Sequence, residues 1–268
     1  MGPDNLGKPL IWIRGAGELG SAAAVTLFTA GFKVILSEIS PPLAIRRPVT
    51  FSDAILDRRT AIGDIWAQLC DAQTIESVNV LPLVLDEPGK ILALKPFIIL
   101  DARMLKNYNS DFRPWSEFYL GFGPGFKAGV NCHAVIETKR GFDLGRVLWR
   151  GSAQTDTGKP GEIKGESKRR VLYADCPGKL TWEVEFGDIV TQRQKIGNIN
   201  GQPIYAPFRG LVRGLIHPAV PMEKGLKIAD IDPRGESINF TLISDKASSI
   251  ARAALETILI FLKTNRAF

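Results

Sequence analysis

Residues 10–40 constrain the fold of this chain more than any other stretch. The apolar run Leu10–Arg14 is followed by a glycine-rich turn, a segment of small and apolar residues, and a second apolar run, Lys33–Glu38. This order predicts strand, turn, helix and strand, the unit that places a dinucleotide pyrophosphate on a helix N-terminus. We call residues 15–20 the first glycine turn and predict that it binds a nucleotide. The turn consists of Gly15, Ala16, Gly17, Glu18, Leu19 and Gly20.

The glycines of this turn have separate predicted roles. Gly15 allows the tight turn, Gly17 lets a phosphate approach the backbone, and Gly20 lets the helix pack against the strand. Glu38 ends the second strand, eighteen residues after Gly20, where a carboxylate accepts hydrogen bonds from ribose hydroxyls. The pattern therefore predicts NAD or NADP as the ligand, and Glu38 favours an unphosphorylated ribose.

Two observations leave other interpretations open. Glu18 falls in the first helical turn, where its carboxylate would stabilise the helix and compete with a bound phosphate. Arg46 and Arg47 follow the second strand and could meet a 2′-phosphate or the pyrophosphate, or could be solvated. The alternative to a nucleotide site is an α/β turn that keeps its glycine geometry without a ligand.

Further apolar segments extend the predicted sheet. Residues 97–101 and 118–121 are apolar without alternation, as strands of a parallel sheet buried on both faces are. The carboxyl ends of parallel strands share one edge of a sheet, where ligands bind. We therefore expect Asp101 and Arg103 to lie near the first glycine turn, either orienting a ligand or forming a structural ion pair. A second glycine loop at this edge, residues 121–125, is either an anion-binding nest or a simple turn; its glycines are Gly121, Gly123 and Gly125.

The composition argues against several classes of function. The chain has 268 residues, 45% of them hydrophobic and 23% charged, as in ordinary globular proteins. Its net charge of +6 is modest and its basic residues are not concentrated on one element, so we expect no nucleic-acid partner. Three separated cysteines and two histidines indicate neither a disulfide framework nor a metal site. We find no secretory signal and no stretch near the roughly 20 apolar residues of a membrane span, so we expect a cytoplasmic protein.

Residues 169–240 have the pattern of an internal duplication. Two halves, 176–199 and 206–231, each combine a Pro/Gly start, a short β run, a turn with valine and an alternating β ending. Such halves are similar to the barrel-sandwich fold of biotinyl and lipoyl domains. The modified lysine of those carriers belongs at the hairpin between the halves, which here reads Asn200-Gly201-Gln202-Pro203. Because no lysine is present, we expect a structural or binding role for this part of the chain.

The last segment predicts a helix over residues 247–263. Ser244 is a candidate N-cap, and Ile250, Ala254 and Ile258 keep helical spacing. We therefore predict an α/β fold with a Rossmann-like doubly wound parallel sheet and a small barrel-sandwich-like β domain, inserted or appended. The C-terminal helix is expected to pack back on the α/β domain. The predicted bounds are 1–168 for the α/β domain, 169–240 for the β domain and 241–268 for the returning helix.

Taken together, these residues resemble the accessory family of selenium-dependent molybdenum hydroxylase systems, often called the YqeB family. The resemblance covers nearly the whole chain, and the family also has an acid at the place of Glu18. The chain departs from the family at Phe142-Asp143, where a His-Asn or His-Asp pair is common. The motifs that carry the resemblance are Arg14-Gly15-Ala16-Gly17-Glu18-Leu19, Ala44-Ile45-Arg46-Arg47, Asp101-Ala102-Arg103-Met104, residues 121–129, residues 133–138, Arg140-Gly141 with Leu144-Gly145-Arg146, Gly151-Ser152-Ala153, Asp156-Thr157-Gly158, Pro160-Gly161 and residues 230–235.

The resemblance implies a maturation or assembly factor for a molybdenum hydroxylase, with a dinucleotide-binding N-terminal part. The implied partner is the hydroxylase or its maturation machinery, and a homo-oligomer is left open. A second hypothesis is an NAD(P)-dependent oxidoreductase that acts on a small substrate. Hydride transfer needs an acid or base near the nicotinamide. The sequence offers no Tyr-x-x-x-Lys pair and no histidine–carboxylate arrangement there, so we favour the assembly factor.

Overall fold

The computed structural model of the chain describes residues 9–77, 79–107, 110–156, 158 and 161–265. Thr157 and Pro160, which belong to two of the motifs above, lie outside the described residues, as do residues 1–8. The helices of the described part are α1 Glu18–Thr29, α2 Ala54–Asp57, α3 Pro88–Leu92 and α4 Asp245–Thr264. Its strands are β1 Leu10–Arg14, β2 Lys33–Glu38, β3 Arg59–Ile62, β4 Ile65–Leu69, β5 Leu81–Leu85, β6 Ile98–Asp101, β7 Phe118–Phe122, β8 Lys127–Ala128, β9 Ala134–Ile136, β10 Val147–Leu148, β11 Gly151–Ser152, β12 Val171–Tyr173, β13 Leu180–Trp182, β14 Ile189–Val190, β15 Lys195–Ile199, β16 Gln202–Tyr205, β17 Gly210–Leu215 and β18 Lys227–Asp232.

A large, mostly parallel sheet organises the first part of the chain. Its strand order is β10-β9-β7-β6-β1-β2-β5-β4-β3, and only the two outermost pairs are antiparallel. In the register, Arg14 at the end of β1 lies beside Ser37 of β2 and Asp101 of β6, and Asp101 lies beside Gly121 of β7. The carboxyl ends of these strands therefore form one edge, as the sequence predicts.

The two faces of this sheet are covered differently. Side chains alternate along β1, so that Ile11 and Ile13 join the core under α1 and α4, whereas Trp12 faces the other side. On that other side, the short helix α3 and loop aromatics such as Phe112 and Phe126 pack against Trp12 and its neighbours. The mixed α/β class is confirmed. The Rossmann-like, doubly wound description of the sheet stays a prediction.

Helix α4 returns to the sheet, as its apolar spacing predicts. Ser244 is the N-cap, and its Oγ accepts a hydrogen bond from the Ala247 N–H at 3.2 Å. Ile250, Ala254 and Ile258 are fully buried in the same core as α1. None of the helices in the described ranges has the length and apolar character needed to cross a membrane.

The later strands form two antiparallel sheets with a shared apolar interior. One sheet has the order β12-β18-β17-β14 and the other β13-β15-β16. Ile196 and Ile199 from the second sheet pack with Ile228 and Ile231 from the first. The predicted hairpin forms between β15 and β16, where Asn200 and Gly201 both have positive φ, as a two-residue Asn-Gly turn requires. The barrel-sandwich name and the domain bounds stay predictions.

Candidate functional site

Charged side chains meet at the carboxyl edge of the large sheet. Arg14 donates to Asp86 through Nε at 3.2 Å and Nη2 at 2.8 Å, and Ser37 Oγ donates to the same carboxylate at 2.8 Å. The Arg14 guanidinium also lies over the rings of Trp12 and Trp115, at 4.9 and 5.4 Å from their centroids. Arg14 and Asp86 are both nearly buried, and each satisfies the other.

Asp101 and Arg103 form a mutually satisfied pair at the same edge. Arg103 donates to Asp101 through Nε at 2.9 Å and Nη2 at 2.5 Å, and the Tyr119 hydroxyl donates to Asp101 Oδ2 at 2.7 Å. Burial, together with the charge of Asp101, raises the pKa of Tyr119, so this phenol stays protonated. The same Asp-x-Arg geometry recurs at Asp232 and Arg234. Of the two predicted roles, the geometry fits the structural ion pair.

The first glycine turn keeps its predicted backbone geometry, and a side chain of the chain itself occupies it. Gly15 has φ +93°, and a Cβ on Gly20 would lie 1.8 Å from the Gly15 carbonyl oxygen, so close packing requires both glycines. The Glu38 carboxylate accepts from the Ala16 N–H at 2.7 Å and from the Ile39 N–H at 2.8 Å. Burial raises the pKa of Glu38. The carboxylate predicted to hold a ribose accepts one backbone N–H of the turn.

The second glycine loop is shaped by packing. A Cβ on Gly121 would lie 2.1 Å from the Phe126 ring, which is buried in the core on the second face of the sheet. Gly123 has φ +83°, and its N–H donates to the Ile136 carbonyl at 3.0 Å. Gly125 accepts from Asn131 Nδ2 at 3.4 Å through its carbonyl. The loop turns the chain so that Phe126 covers Gly121.

A cleft of about 1200 Å³ opens between the carboxyl edge of the large sheet and the later strands, β12 to β18, which we call the β12–β18 strands. It lies where α1 and α4 begin. Nine basic and five acidic side chains line it within the described residues, a formal excess of four positive charges. The basic ones are Arg46, Lys106, Lys139, Arg140, Arg170, Arg213, Lys227, Arg234 and Lys246, and the acidic ones are Glu18, Asp156, Glu162, Asp230 and Asp245.

Many of these charges neutralise one another. Arg170 and Arg213 both donate to Asp230, which is almost fully buried, and such a buried carboxylate needs both partners. Further pairs are Arg140 with Asp245, Lys106 with Asp156, and both Arg213 and Arg234 with Asp232, which lies next to the cleft. The remaining basic groups of the cleft have a positive charge that no acidic partner fully neutralises.

Arg46 is one of these incompletely compensated groups. Its side chain is 12% exposed, its Nη1 lies 3.7 Å from Glu18 Oε1, and its Nη2 donates to the Leu242 carbonyl at 3.5 Å. Within the described residues, its buried Nε–H has no acceptor. Burial lowers the pKa of Arg46. A buried guanidinium with one weak ion pair and an orphaned donor is costly for the fold.

Lys139, Lys227 and Lys246 are the other members of this set, and the side chains of Lys139 and Lys227 are exposed. In the part of the chain that the structure describes, none of these three ammonium groups has a hydrogen-bond or ion-pair partner. Lys246 is half-buried in the first turn of α4, where the helix dipole disfavours a cation. Desolvation by the surrounding protein lowers the pKa of Lys227 and of Lys246, and Arg140 adds to the effect at Lys246. The charge of Glu18 acts in the opposite direction at both lysines.

Of the predicted site residues, only Glu18 and Arg46 line the cleft. Sequence reasoning missed Lys227 and Lys246. A lysine directly after a capping Ser-Asp pair, where a helix begins, is the one local signal that singles out Lys246. The predicted residues outside the cleft lining are Gly15, Ala16, Gly17, Leu19, Gly20, Glu38, Asp101, Arg103, Gly121, Gly123 and Gly125. No cluster of three or more His, Cys, Asp or Glu side chains arranged for a metal is found among the described residues.

Comparisons with known proteins add the following. No family model matches the chain. A solved succinylglutamate desuccinylase from Silicibacter sp. TM1040 is 11% identical, with 85% of each chain covered and a TM-score of 0.26. An aspartoacylase family protein from Mesorhizobium loti MAFF303099 is 12% identical, with 84% of this chain and 86% of that chain covered and a TM-score of 0.27. At these TM-scores no reaction or substrate is inferred for this chain from the two structures.

The predicted function is an accessory factor for a molybdenum hydroxylase system that binds a nucleotide, with an NAD(P)-dependent oxidoreductase as its alternative. Its nucleotide-binding and oxidoreductase parts are wrong. The solved structures found are a succinylglutamate desuccinylase and an aspartoacylase family protein, and neither is named as a nucleotide binder or an NAD(P) oxidoreductase. In the first glycine turn, the Ala16 N–H donates to the Glu38 carboxylate instead of being free for a ligand. Close helix–strand packing alone accounts for Gly15 and Gly20.

One curated relative covers almost the whole chain. "Uncharacterized protein YqeB" of Escherichia coli (strain K12) is 39% identical over 261 residues, which is 96% of this chain and 48% of that protein. The chain therefore spans about half the length of this relative. Its name carries no link to a molybdenum hydroxylase. The predicted similarity to YqeB is confirmed.

Proposed function

We propose that the protein binds a small organic anion, carrying carboxylate or phosphate groups, in the cleft between the large sheet and the β12–β18 strands. The observation that carries the proposal is that Arg46, Lys227 and Lys246, three of the basic groups that face one cleft, lack full compensation. An anion would supply the missing acceptors. Charge-assisted hydrogen bonds of this kind contribute roughly 1.5–3 kcal/mol each.

The placement of Lys246 supports the same function. A cation in the first turn of a helix opposes the helix dipole, and desolvation adds a second cost. Residues that lower stability in this way are common at functional sites. A bound anion between α1 and α4 would face both helix N-termini and would reverse the sign of this interaction.

Isothermal titration calorimetry tests the proposal. Succinate and inorganic phosphate serve as separate carboxylate and phosphate ligands, and NADH tests the cofactor predicted from the first glycine turn. We expect at least one of the two simple anions to bind, and Arg46→Gln and Lys246→Gln each to weaken binding about tenfold or more, because each removes a charge-assisted contact.

The matched control is Lys224→Gln, which removes the same charge from an exposed lysine outside the cleft lining. It should leave the affinity within about twofold, since exposed charges are screened by salt. Absence of binding for both simple anions would contradict the proposal. If Lys224→Gln and Lys246→Gln lower the anion affinity equally, the binding reflects only the net charge of the protein.

A partner is a separate proposal. From the motif resemblance alone, we propose that the chain contacts a molybdenum hydroxylase or its maturation machinery. Such an enzyme, or one of its maturation factors, should be recovered in a pulldown with the tagged chain at physiological salt, and absence of both would contradict the proposal. The cytoplasmic location and the homo-oligomer stay predictions.

A further inference from the structure

The acidic residues that line the cleft also differ in how fully basic partners neutralise their charge. Asp156, Asp230 and Asp245 are engaged by basic partners. Glu162 is exposed. Glu18, in contrast, is enclosed, with a side chain that is 22% exposed, and it lies beside Arg46. Glu18 is therefore the acid that a bound ligand would meet inside the cleft.

Only one oxygen of Glu18 is occupied. Oε1 accepts from the Ser244 N–H at 3.2 Å and lies 3.7 Å from Arg46 Nη1, whereas Oε2 has no hydrogen-bond partner within the described residues. The Ser244 contact ties the first turn of α1 to the N-cap of α4 and fixes the carboxylate in place. The electrostatic neighbours of Glu18 in the cleft include Arg46, Lys227 and Lys246.

A fixed carboxylate and a guanidinium 3.7 Å apart present opposite charges to the same ligand. A ligand with only negative groups gains from Arg46 and the lysines and is repelled by Glu18. A ligand that also carries an ammonium group satisfies both, because its ammonium can donate to Glu18 Oε2. We infer that the cleft takes a zwitterionic ligand of the amino-acid type, with its ammonium group on Glu18 and its carboxylate or phosphate on Arg46 and the lysines.

This inference rests on the proposed anion-binding function and adds the class of ligand. A structural role for Glu18, as an acid at two helix N-termini, predicts no preference between ligands. Net charge alone predicts the reverse preference, since a cleft with excess positive charge favours the ligand with more negative charge. The choice between ligands of matched shape therefore separates the three explanations.

Calorimetry with matched pairs at pH 7 is the test. Succinate and L-aspartate have the same carbon chain and differ by one ammonium group, and ethyl phosphate and phosphoethanolamine form the equivalent phosphate pair. We expect the ammonium-bearing member of at least one pair to bind about tenfold tighter to the wild-type protein. In Glu18→Gln, which keeps an oxygen to accept from Ser244, this preference should be lost and the anion-only member should bind more tightly.

Glu236→Gln is the matched control, because Glu236 is an exposed glutamate outside the cleft lining, and it should keep the preference. If the anion-only members bind as tightly as, or more tightly than, their partners in the wild type, the inference is wrong while the anion-binding function stands. If no member of either pair binds, the inference and the proposed anion-binding function are both wrong. The comparison within the wild-type protein remains decisive even where Glu18→Gln does not fold.

Discussion

Lys246 shows how a single residue can be unfavourable for the fold and suited to a ligand. Its ammonium is partly desolvated, it lies at the positive end of α4, and no acid in the described part of the chain forms an ion pair with it, although the charges of Glu18, Glu137 and Asp156 offset part of the cost. On balance these conditions disfavour the charged form, so the pKa lies below that of a free lysine. An ordinary surface lysine keeps its ammonium group fully hydrated, and the ammonium group of Lys246 is not.

Replacing this lysine should therefore stabilise the protein. The pKa of Lys246 is lower in the folded than in the unfolded state, so the charged form costs stability at neutral pH. This cost falls as pH rises from the folded-state pKa and is absent above the unfolded-state pKa. We expect Lys246→Gln to raise the melting temperature by about 1–3 °C while anion binding is weakened. Thermal unfolding followed by circular dichroism measures this, with Lys224→Gln as control. A lower melting temperature with unchanged binding would contradict it.

Anion binding should depend on pH through the same lysines. Lys227 and Lys246 have pKa values lowered by desolvation, so both lose their charge at a lower pH than ordinary lysines do. Affinity for a simple anion is expected to fall as pH rises, beginning below the ordinary lysine range. Titrations between pH 7 and pH 10 measure this, and the double variant Lys227→Gln with Lys246→Gln should show a flatter profile. A constant wild-type affinity across this range would exclude these lysines from the site.

At the scale of the element, the first glycine turn shows why its pattern predicts the fold and not the ligand. The strand, turn, helix and strand form as predicted, because Gly15 has the required positive φ and Gly20 lets α1 approach the Gly15 carbonyl. These are packing requirements of any such unit, with or without a phosphate. Whether the turn is free for a phosphate depends on where the Glu38 side chain points, and the sequence does not encode that locally.

Two glycines of this turn should therefore respond very differently to substitution. A Cβ on Gly20 would lie 1.8 Å from the Gly15 carbonyl oxygen, whereas a Cβ on Gly17 would have nothing within 4 Å. We expect Gly20→Ala to destabilise by about 2–4 kcal/mol and Gly17→Ala by no more than about 1 kcal/mol. Urea denaturation of both variants measures this. Similar losses in the two would mean that the turn is not held by this contact.

The hairpin formed by β3 and β4 is an element that sequence reasoning did not assign. Its two strands are joined by Gly63 and Asp64 alone, and Gly63 has φ +57°. A two-residue glycine-containing loop between short β runs is a recognised hairpin signal. The signal was therefore present, and it was obscured because the flanking residues alternate only weakly in polarity.

At the scale of the whole molecule, the cleft could not be found from sequence spacing. Glu18, Arg46, Lys227 and Lys246 come from four separate segments, and they meet only when the later strands pack against the earlier ones. Residues around Ile45 form that junction: the Leu215 N–H donates to the Ile45 carbonyl at 2.8 Å, and the Ile45 side chain enters the core of the β12–β18 region. Local patterns predict elements and strand ends well. A site assembled across such a junction is a property of the tertiary structure.

The position of a bound anion is the most direct test of the anion-binding cleft. Crystals of the protein can be soaked in selenate, and the anomalous scattering of selenium then locates the bound anion directly. The expected result is selenate in the cleft, within hydrogen-bond distance of Arg46 and Lys246. Selenate at the first glycine turn, with Glu38 displaced from the Ala16 N–H and the cleft empty, would contradict it.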